Sequence, residues 1–304
     1  MRIEELGDLG DFAAIGVARA DALLDESVFV ERWLSEGHEG EMSYLTRNKE
    51  KRYDPRLLVE GTKTIVTVLY NYFPEQPLPQ EHNYKIAKYA YGVDYHDVLK
   101  RRLREFLMRI EERTGPLQGT RFFVDSAPVL DRAWAVRCGL GFIGKNTSLI
   151  HPQKGSFFFI GHLFLPIELE PTGKPLTNHC GRCTKCIDAC PTGALFEPFH
   201  IDARKCISYL TIEHKGSLEG HDPKTFDGWI YGCDACQDVC PYNKKFSVAN
   251  KEPLFQPSER LKDMRKEDWE CFDQEAFNEL FKKSAVQRAG YEGLKRNITF
   301  LKGE

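Results

Sequence analysis

Apolar and polar positions along the 304-residue chain fall into two periods, one suited to strands and one to helices. Thr64-Ile-Val-Thr-Val-Leu-Tyr70 is a β-branched run of strand length, and Arg121-Phe-Phe-Val-Asp125 reads as a second strand. Between them, Leu99, Leu103, Phe106, Leu107 and Ile110 recur at helical spacing within residues 97–113. Lys100, Arg101, Arg102, Arg104 and Arg109 lie largely off that stripe and read as a solvated face, with a binding surface as the alternative. Residues 128–138 predict a compact helix, with Ser126 placed to cap it, Pro128 near its first turn and Gly139 just past its end. The longest near-apolar run, residues 156–169, is interrupted by His162 and is shorter than the ~20 residues a membrane helix needs, so it reads as a buried strand. Pro171 and Pro175 bracket a linker. Beyond residue 251, Trp269, Phe272, Phe277, Leu280 and Phe281 suggest a short helical tail packed on the body. The expected class is α+β: a mixed α/β domain over residues 1–170, a cysteine-rich domain over 171–250 and a helical tail over 251–304.

Composition adds bounds. At 35.0 kDa and 41% hydrophobic residues, the chain can fill a core and is not disordered. Its 42 basic and 45 acidic residues leave a net charge of -3, so a nucleic-acid partner would need a local patch. The opening residues Met-Arg-Ile-Glu-Glu-Leu-Gly-Asp lack the apolar stretch of a secretory signal, which points to reduced cysteines and a cytoplasmic protein.

Eight of the ten cysteines crowd into the 61 residues from 180 to 240. Cys180-Gly-Arg-Cys183-Thr-Lys-Cys186-Ile-Asp-Ala-Cys190-Pro191 has the C-x2-C-x2-C-x3-C-P spacing that wraps three thiolates around one [4Fe-4S] cube and sends the fourth to another. Cys233-Asp-Ala-Cys236-Gln-Asp-Val-Cys240-Pro241 is the partner half, with one thiol fewer, and Cys206 completes the count. The crossing rule then assigns Cys180, Cys183, Cys186 and Cys240 to one cluster and Cys190, Cys206, Cys233 and Cys236 to the other. Structural zinc also uses C-x2-C pairs, but a zinc site closes with four ligands and has no use for the C-x3-C-P arm in each half. Cys138 and Cys271, outside the block, read as buried small hydrophobes. Two clusters make a wire for single electrons, and its terminus is expected in the N-terminal domain.

Gly139-Leu-Gly141-Phe-Ile-Gly144-Lys145-Asn146 matches G-x-G-x-x-G and nearly matches a P-loop. A dinucleotide fingerprint follows a strand, whereas this one follows a helix, and Asn146 stands where a P-loop needs Ser or Thr. Two readings stay open: a turn that brings backbone close to a large cofactor or substrate, and a plain helix-to-strand turn. Asp131, in the first turn of its helix, suits a carboxylate complementing the helix dipole; the sharper alternative is a general acid whose pKa is raised by burial. His38, His96, His151, His162 and His179 form no ligand-spaced pair and read as core or surface histidines.

From Gly37-His-Glu-Gly-Glu-Met42 to Arg296-Asn297 the chain resembles the epoxyqueuosine reductase family. The resemblance is carried by Arg52-Tyr-Asp-Pro55, Gly92-Val-Asp-Tyr-His96, Val124-Asp-Ser-Ala-Pro-Val-Leu-Asp-Arg132, the glycine segment, Cys206-Ile-Ser-Tyr-Leu-Thr-Ile-Glu213 and Tyr231-Gly-Cys-Asp-Ala-Cys-Gln237. It implies a cobalamin-binding N-terminal domain related to reductive dehalogenases, holding the cofactor base-off and fed by the two clusters. It implies further that Asp131 is the proton donor and that Arg52, Asp94, His151 and Ser208 approach the corrinoid. The implied substrate is epoxyqueuosine in a tRNA anticodon loop, with an external low-potential electron donor, no membrane and a monomeric enzyme. Lys100, Arg101, Arg102, Arg104, Lys282, Lys283, Arg288, Lys295 and Arg296 are candidates for phosphate contacts. Longer members continue past the position of Asn297 into a helical-repeat domain, so a smaller tRNA footprint is expected here. The alternatives are a fused ferredoxin-type electron carrier serving another enzyme, or a corrinoid reductive dehalogenase; the lack of a twin-arginine signal in the first residues counts against the latter.

Overall fold

The computed structural model describes residues 1–6, 10–79 and 82–303. The N-terminal part runs β1 (Ala14–Arg19), α1 (Leu24–Ser35), α2 (Lys49–Tyr53), α3 (Pro55–Leu58), β2 (Thr64–Asn71), β3 (Lys85–Ile86), α4 (Tyr95–Thr114), β4 (Arg121–Phe123), α5 (Asp131–Arg137), β5 (Phe142–Ile143), β6 (Leu149–Ile150) and β7 (Phe158–Leu165). The cysteine-rich part holds α6 (Lys185–Asp188), α7 (Ile207–Ile212), β8 (Trp229–Tyr231), α8 (Ala235–Asp238) and α9 (Pro241–Phe246). Four helices follow: α10 (Glu259–Asp263), α11 (Lys266–Glu270), α12 (Gln274–Leu280) and α13 (Gly290–Lys302).

β1, β2, β7 and β4 form an antiparallel sheet in the order β1-β2-β7-β4. β2 lies inside the sheet and is covered on both faces, which is why its sequence is a β-branched, mostly apolar run with the buried hydroxyl of Thr67 in its middle rather than an alternation. On one face Val66, Val68, Phe159 and Leu163 pack against the Leu99, Leu103, Phe106 and Ile110 stripe of α4. On the other, Ile65, Leu69 and Phe164 pack against Trp134, Ala135 and Cys138 of α5. α5 has only seven residues, too short to cover that whole face, and Phe158 and Ile160 of β7 stay half-buried.

Two expectations need correction. The helix expected from residue 128 starts at Asp131: Asp125 takes a left-handed φ of 55°, and the following residues are wound into tight turns, Ser126 N to Val124 O at 2.6 Å and Val129 N to Ala127 O at 2.7 Å. Ser126 donates its hydroxyl to Val124 O and caps nothing. Cys271 is exposed, because Trp269 and Phe272 take the inward positions at the end of α11.

A second core crosses the expected segments. Leu78, Tyr84, Ile86 and Tyr91 share it with Ile230 and Tyr231 and with Trp269, Phe277, Phe281, Leu294 and Ile298 of the tail. β3 pairs in parallel with β8, Trp269 Nε1 donates to Asn83 Oδ1 at 2.6 Å, and buried Asn297 donates to Thr211 O and Ile230 O. Among the described residues no helix is long and apolar enough to cross a membrane.

Candidate active site and cluster-binding segments

Each cysteine motif folds as a loop running into one turn of helix, so that Cys186 and Cys236 sit on the short helices α6 and α8, which pack together. Cys206 and Cys240 stand at the N-caps of α7 and α9. There the amides of Ser208 and Tyr209 donate to Cys206, those of Tyr242 and Asn243 to Cys240, and that of Ala235 to Cys233. Such bonds favour thiolates. Burial works against them, raising Cys206, lifting Cys233 to about 12 and holding Cys236 well above its ordinary value. Thiols so placed become ligands when the positive charge of a metal cluster offsets their desolvation.

The fold brings the eight thiols into two neighbourhoods. Cys186 lies within electrostatic range of Cys180 and Cys240, and Cys240 within range of Cys180 and Cys183. Cys206 lies within range of Cys190, Cys233 within range of both, and Cys236 within range of Cys206 and Cys233 and, less strongly, of Cys186 across the gap between the two groups. Among the described residues no three His, Cys, Asp or Glu side chains converge as ligands of a single ion, which a cube bound through separate iron atoms does not require. The donor set therefore fits two cubes.

The glycine segment is the device that fastens these loops to the sheet domain. Gly139, at φ 74°, ends α5, and β5 and β6 form a hairpin whose turn carries Lys145 and Asn146. Lys145 Nζ donates to Gly181 O (2.8 Å) and Cys183 O (3.0 Å) in the first cysteine loop, and Asn146 Nδ2 reaches Cys236 O (3.5 Å) in the second. A second fastening is buried. Lys88 donates from its backbone N (2.8 Å) and Nζ (3.3 Å) to Asp234, between Cys233 and Cys236, and from Nζ to Asp238 (2.7 Å). Sequence spacing could reveal neither, since both join segments far apart in the chain.

Where α5 leaves the sheet uncovered there is a cleft lined by Tyr72, Arg132, Ser148, Phe158, Ile160 and Gln237. Gln237 directly follows Cys236 and is locked by donating to Ser156 O (3.2 Å) and Oγ (3.0 Å), so one wall of the cleft is continuous with the second cluster loop. Asp131 adjoins the cleft through its chain neighbour Arg132 and through His162, two residues along β7 from Ile160. Its Oδ1 lies 3.1 Å from Nε2 of His162, whose side chain is 0% exposed against 22% for Asp131. His162 Nδ1 lies 2.9 Å from Thr67 Oγ1, directly across the β2–β7 ladder.

A second set of titratable groups lies within electrostatic reach of Asp131 through Tyr95. Tyr95 donates to Asp125 Oδ2 at 2.6 Å, and His96 Nδ1 contacts Asp94 Oδ1 at 2.7 Å with Nε2 3.6 Å from Asp125. Burial pulls the His96 imidazole down, but Asp125 and Asp94 outweigh it and raise it to about 9, so a cation sits between two carboxylates at neutral pH. The left-handed Asp125 is part of this arrangement.

The other expected contacts are dispersed. Arg52 is buried close enough to Asp131 to feel its charge, donates to Tyr44 O at 3.1 Å and keeps Nε without a partner among the described residues. Asp94 caps α4 and holds His96. His151 lies beyond β6, its Nδ1 accepting from Gln153 N at 3.1 Å, and Ser208 turns its amide to Cys206. Three of the basic candidates are already engaged: Arg102 with Glu252, Arg288 in a bidentate pair with Glu213, and Arg296 with the carbonyls of Leu210, His214 and Gly216. Arg296 in particular is a structural clamp, because its five N–H donors are taken by those three carbonyls and, through Nε and Nη2, by Asn297 Oδ1, leaving no donor fork for phosphate. Arg101, Arg104, Lys282, Lys283 and Lys295 are exposed.

Two cluster-binding cysteine loops, one of them running into the wall of a cleft, are the equipment of an iron–sulfur oxidoreductase, and that is the class of this chain. A family model described as 4Fe-4S double cluster binding domain matches residues 179–243, and one described as Epoxyqueuosine reductase QueG, DUF1730 matches residues 52–126. The chain belongs to the epoxyqueuosine reductase family: it is 47% identical over 291 residues to the epoxyqueuosine reductase of Cellulophaga algicola, covering 96% of this chain and 94% of that one. It is also similar to a crystal structure of selenomethionine-labelled epoxyqueuosine reductase, with a TM-score of 0.87 at 29% identity over 98% of this chain and 79% of the other. An epoxyqueuosine reductase solved with an epoxyqueuosine-modified tRNA-Tyr stem loop is similar at a TM-score of 0.86 and 30% identity, over 98% and 78% of the two chains.

Proposed function

We propose that this chain reduces epoxyqueuosine to queuosine in the anticodon loop of tRNA, with electrons entering through two [4Fe-4S] clusters, cobalamin in the cleft and Asp131 as proton donor. The observation that carries the reading is the position of Asp131, adjacent in the chain to Arg132 of a cleft that Gln237, next to Cys236, also lines. The residues of the cleft suit a large flat ring fringed with amides: Phe158 and Ile160 offer an apolar floor and Ser148 and Gln237 a polar rim. Cobalamin, when bound, supplies a cobalt centre able to deliver electrons at potentials that nicotinamide does not reach. Cys180, Cys183, Cys186 and Cys240 would hold one cluster, and Cys190, Cys206, Cys233 and Cys236 the other. Residues 1–170 would form the catalytic domain, 171–250 the cluster domain and 251–304 the tail.

Conversion of the epoxide to an alkene breaks two C–O bonds, takes up two electrons and two protons, and releases the oxygen as water. Asp131 would protonate that oxygen as negative charge develops on it. An aspartate-bearing catalytic loop is also described for the epoxyqueuosine reductase of Bacillus subtilis, which supports this role. The base must be splayed out of the loop to reach the cleft, and exposed Arg101, Arg104, Lys282, Lys283 and Lys295, with Lys100, would meet the flanking phosphates. An external low-potential donor is required.

The test is anaerobic turnover of an epoxyqueuosine-containing stem loop by the chain reconstituted with iron, sulfide and cobalamin, read by mass spectrometry of the nucleosides. Queuosine should form, and Asp131→Asn should lower the rate by about 100-fold or more with cluster content unchanged. Failure of the reconstituted chain to retain cobalamin, or undiminished turnover by Asp131→Asn, would overturn the reading.

A further inference from the structure

We propose that His162 is the positioning residue of this site: a buried chain of hydrogen bonds from Cys138 through Thr67 to His162 fixes the histidine tautomer and so fixes how Asp131 presents its carboxyl group. The inference rests on the reading of Asp131 as the proton donor.

The chain joins three elements. Cys138, at the C-cap of α5, donates its thiol to Thr67 Oγ1 at 3.2 Å, with Ile65 O more distant at 3.7 Å. Thr67 on β2 meets His162 Nδ1 at 2.9 Å, and His162 Nε2 meets Asp131, the first residue of α5, at 3.1 Å. The same chain therefore ties both ends of α5 to the sheet beneath it. Thr67 and His162 are 0% exposed and Cys138 is 1% exposed, so water competes for none of the three.

The donor count decides the tautomer. Burial raises the Cys138 thiol to about 12, so at neutral pH it is protonated and donates. The Thr67 hydroxyl, accepting from sulfur, has one proton to give, and His162 Nδ1 at 2.9 Å is a better acceptor for it than Cys138 Sγ at 3.2 Å. The opposite tautomer would turn the chain round, with Thr67 donating to sulfur, a weak acceptor, and the thiol to Ile65 O at 3.7 Å, and it would face an unprotonated Nε2 toward the Asp131 carboxylate. Nε2 is then the protonated nitrogen, and it donates to Asp131 Oδ1. The other carboxyl oxygen, Oδ2, makes no hydrogen bond among the described residues and is left to carry the proton of the acid.

Two consequences follow for the reaction. As Asp131 releases its proton, the charge left on the carboxylate meets an N–H already in place, with no rearrangement needed at that moment. The chain also ends at a buried thiol. It orients Asp131 without conducting protons, and the second proton of the reaction must reach Asp131 from the cleft side.

The direct test is nitrogen-15 NMR of histidine-labelled full-length protein carrying oxidised, diamagnetic clusters, with the His162 signals assigned by their loss in His162→Gln. A protonated Nε2 and an unprotonated Nδ1 at pH 7 are expected; a protonated Nδ1 overturns the proposal. Thr67→Val should mix the tautomers and lower kcat about 10-fold to 100-fold with KM for the tRNA stem loop unchanged, as misorientation of a catalytic group does, and Thr67→Ser should restore both. Wild-type kcat in Thr67→Val also overturns it. If Asp131→Asn keeps full turnover while the Nε2 tautomer is found, the acid assignment falls and the relay stands; if Asp131→Asn is inactive and Nδ1 is protonated, the relay alone falls.

Discussion

Lys88→Met is the substitution whose outcome the fold defines most sharply. Lys88 and Asp234 have side chains only 8% and 3% exposed, and their pairing is the buried link between the sheet domain and the second cysteine loop. Two carboxylates, Asp234 and Asp238, hold the Lys88 ammonium above its usual pKa although burial pulls it down. Burial raises the Asp234 carboxyl, with Asp238 adding to the effect and Lys88 opposing it. Methionine fills the volume but leaves Asp234 with only the backbone N–H of residue 88. Keeping the carboxylate charged costs about 3–5 kcal/mol. The alternative is to protonate it, which at pH 7 costs at most about 4 kcal/mol for a carboxyl of ordinary pKa and less for one already raised. The cheaper route sets the deficit, at about 3–4 kcal/mol, or a fall in apparent Tm of about 5–15 °C for a chain of this size. The sign of the pH dependence is a further check. A carboxyl raised in the folded variant loses stability as pH rises through the window above its unfolded pKa near 4, so the deficit should shrink on acidification by up to about 1.4 kcal/mol per pH unit. Thermal unfolding of cluster-loaded protein at pH 5.5 and 7.5, at one scan rate and without oxygen, measures both effects. Adding Asp234→Asn to Lys88→Met should recover most of the loss. A Lys88→Met protein within about 1 kcal/mol of wild type at pH 7.5, or no recovery in the double variant, would refute the argument.

His96 gives a pH dependence of its own: with a folded pKa of about 9, its contribution is complete below the unfolded value near 6.5 and is lost as pH rises through 9. Discounted for a side chain 25% exposed, this amounts to about 1–2 kcal/mol, and chemical denaturation from pH 6 to 10 should show it in wild type but not in His96→Gln. Cys206→Ala should lower iron content by about half while leaving the other cluster, measured by iron analysis and electron paramagnetic resonance of the reduced protein. Gly92→Ala should destabilise by about 1–3 kcal/mol, since a Cβ there would press on the backbone carbonyl of Leu254, and a Tm equal to wild type would count against that packing.

Much of this protein is written locally. The spacing of Cys180, Cys183 and Cys186 is set within seven residues, and a loop leading into one turn of helix follows from it. β2 announces its burial by a β-branched, mostly apolar run, and α4 by a 3.6-residue stripe, because each pattern is the imprint of the faces an element must hide. What the sequence could not reveal are the meetings between segments distant along the chain. Asp131 looked like a dipole partner, His162 an interruption in a strand and Cys138 a small hydrophobe, and only the β2–β7 register with α5 laid across it makes them one hydrogen-bonded chain. The glycine segment likewise resembled a nucleotide loop, while its Lys145 and Asn146 clasp cysteine loops more than thirty residues away. The start of α5 was misplaced for a related reason: Ser126 has the chemistry of a cap, but the left-handed turn at Asp125 directs it elsewhere. Sequence determines which groups are present and how each short segment folds, since bond geometry and local burial act within a few residues. Tertiary structure decides which of them share a low-dielectric site, because donors, acceptors and charges change their worth only when packing removes the water between them.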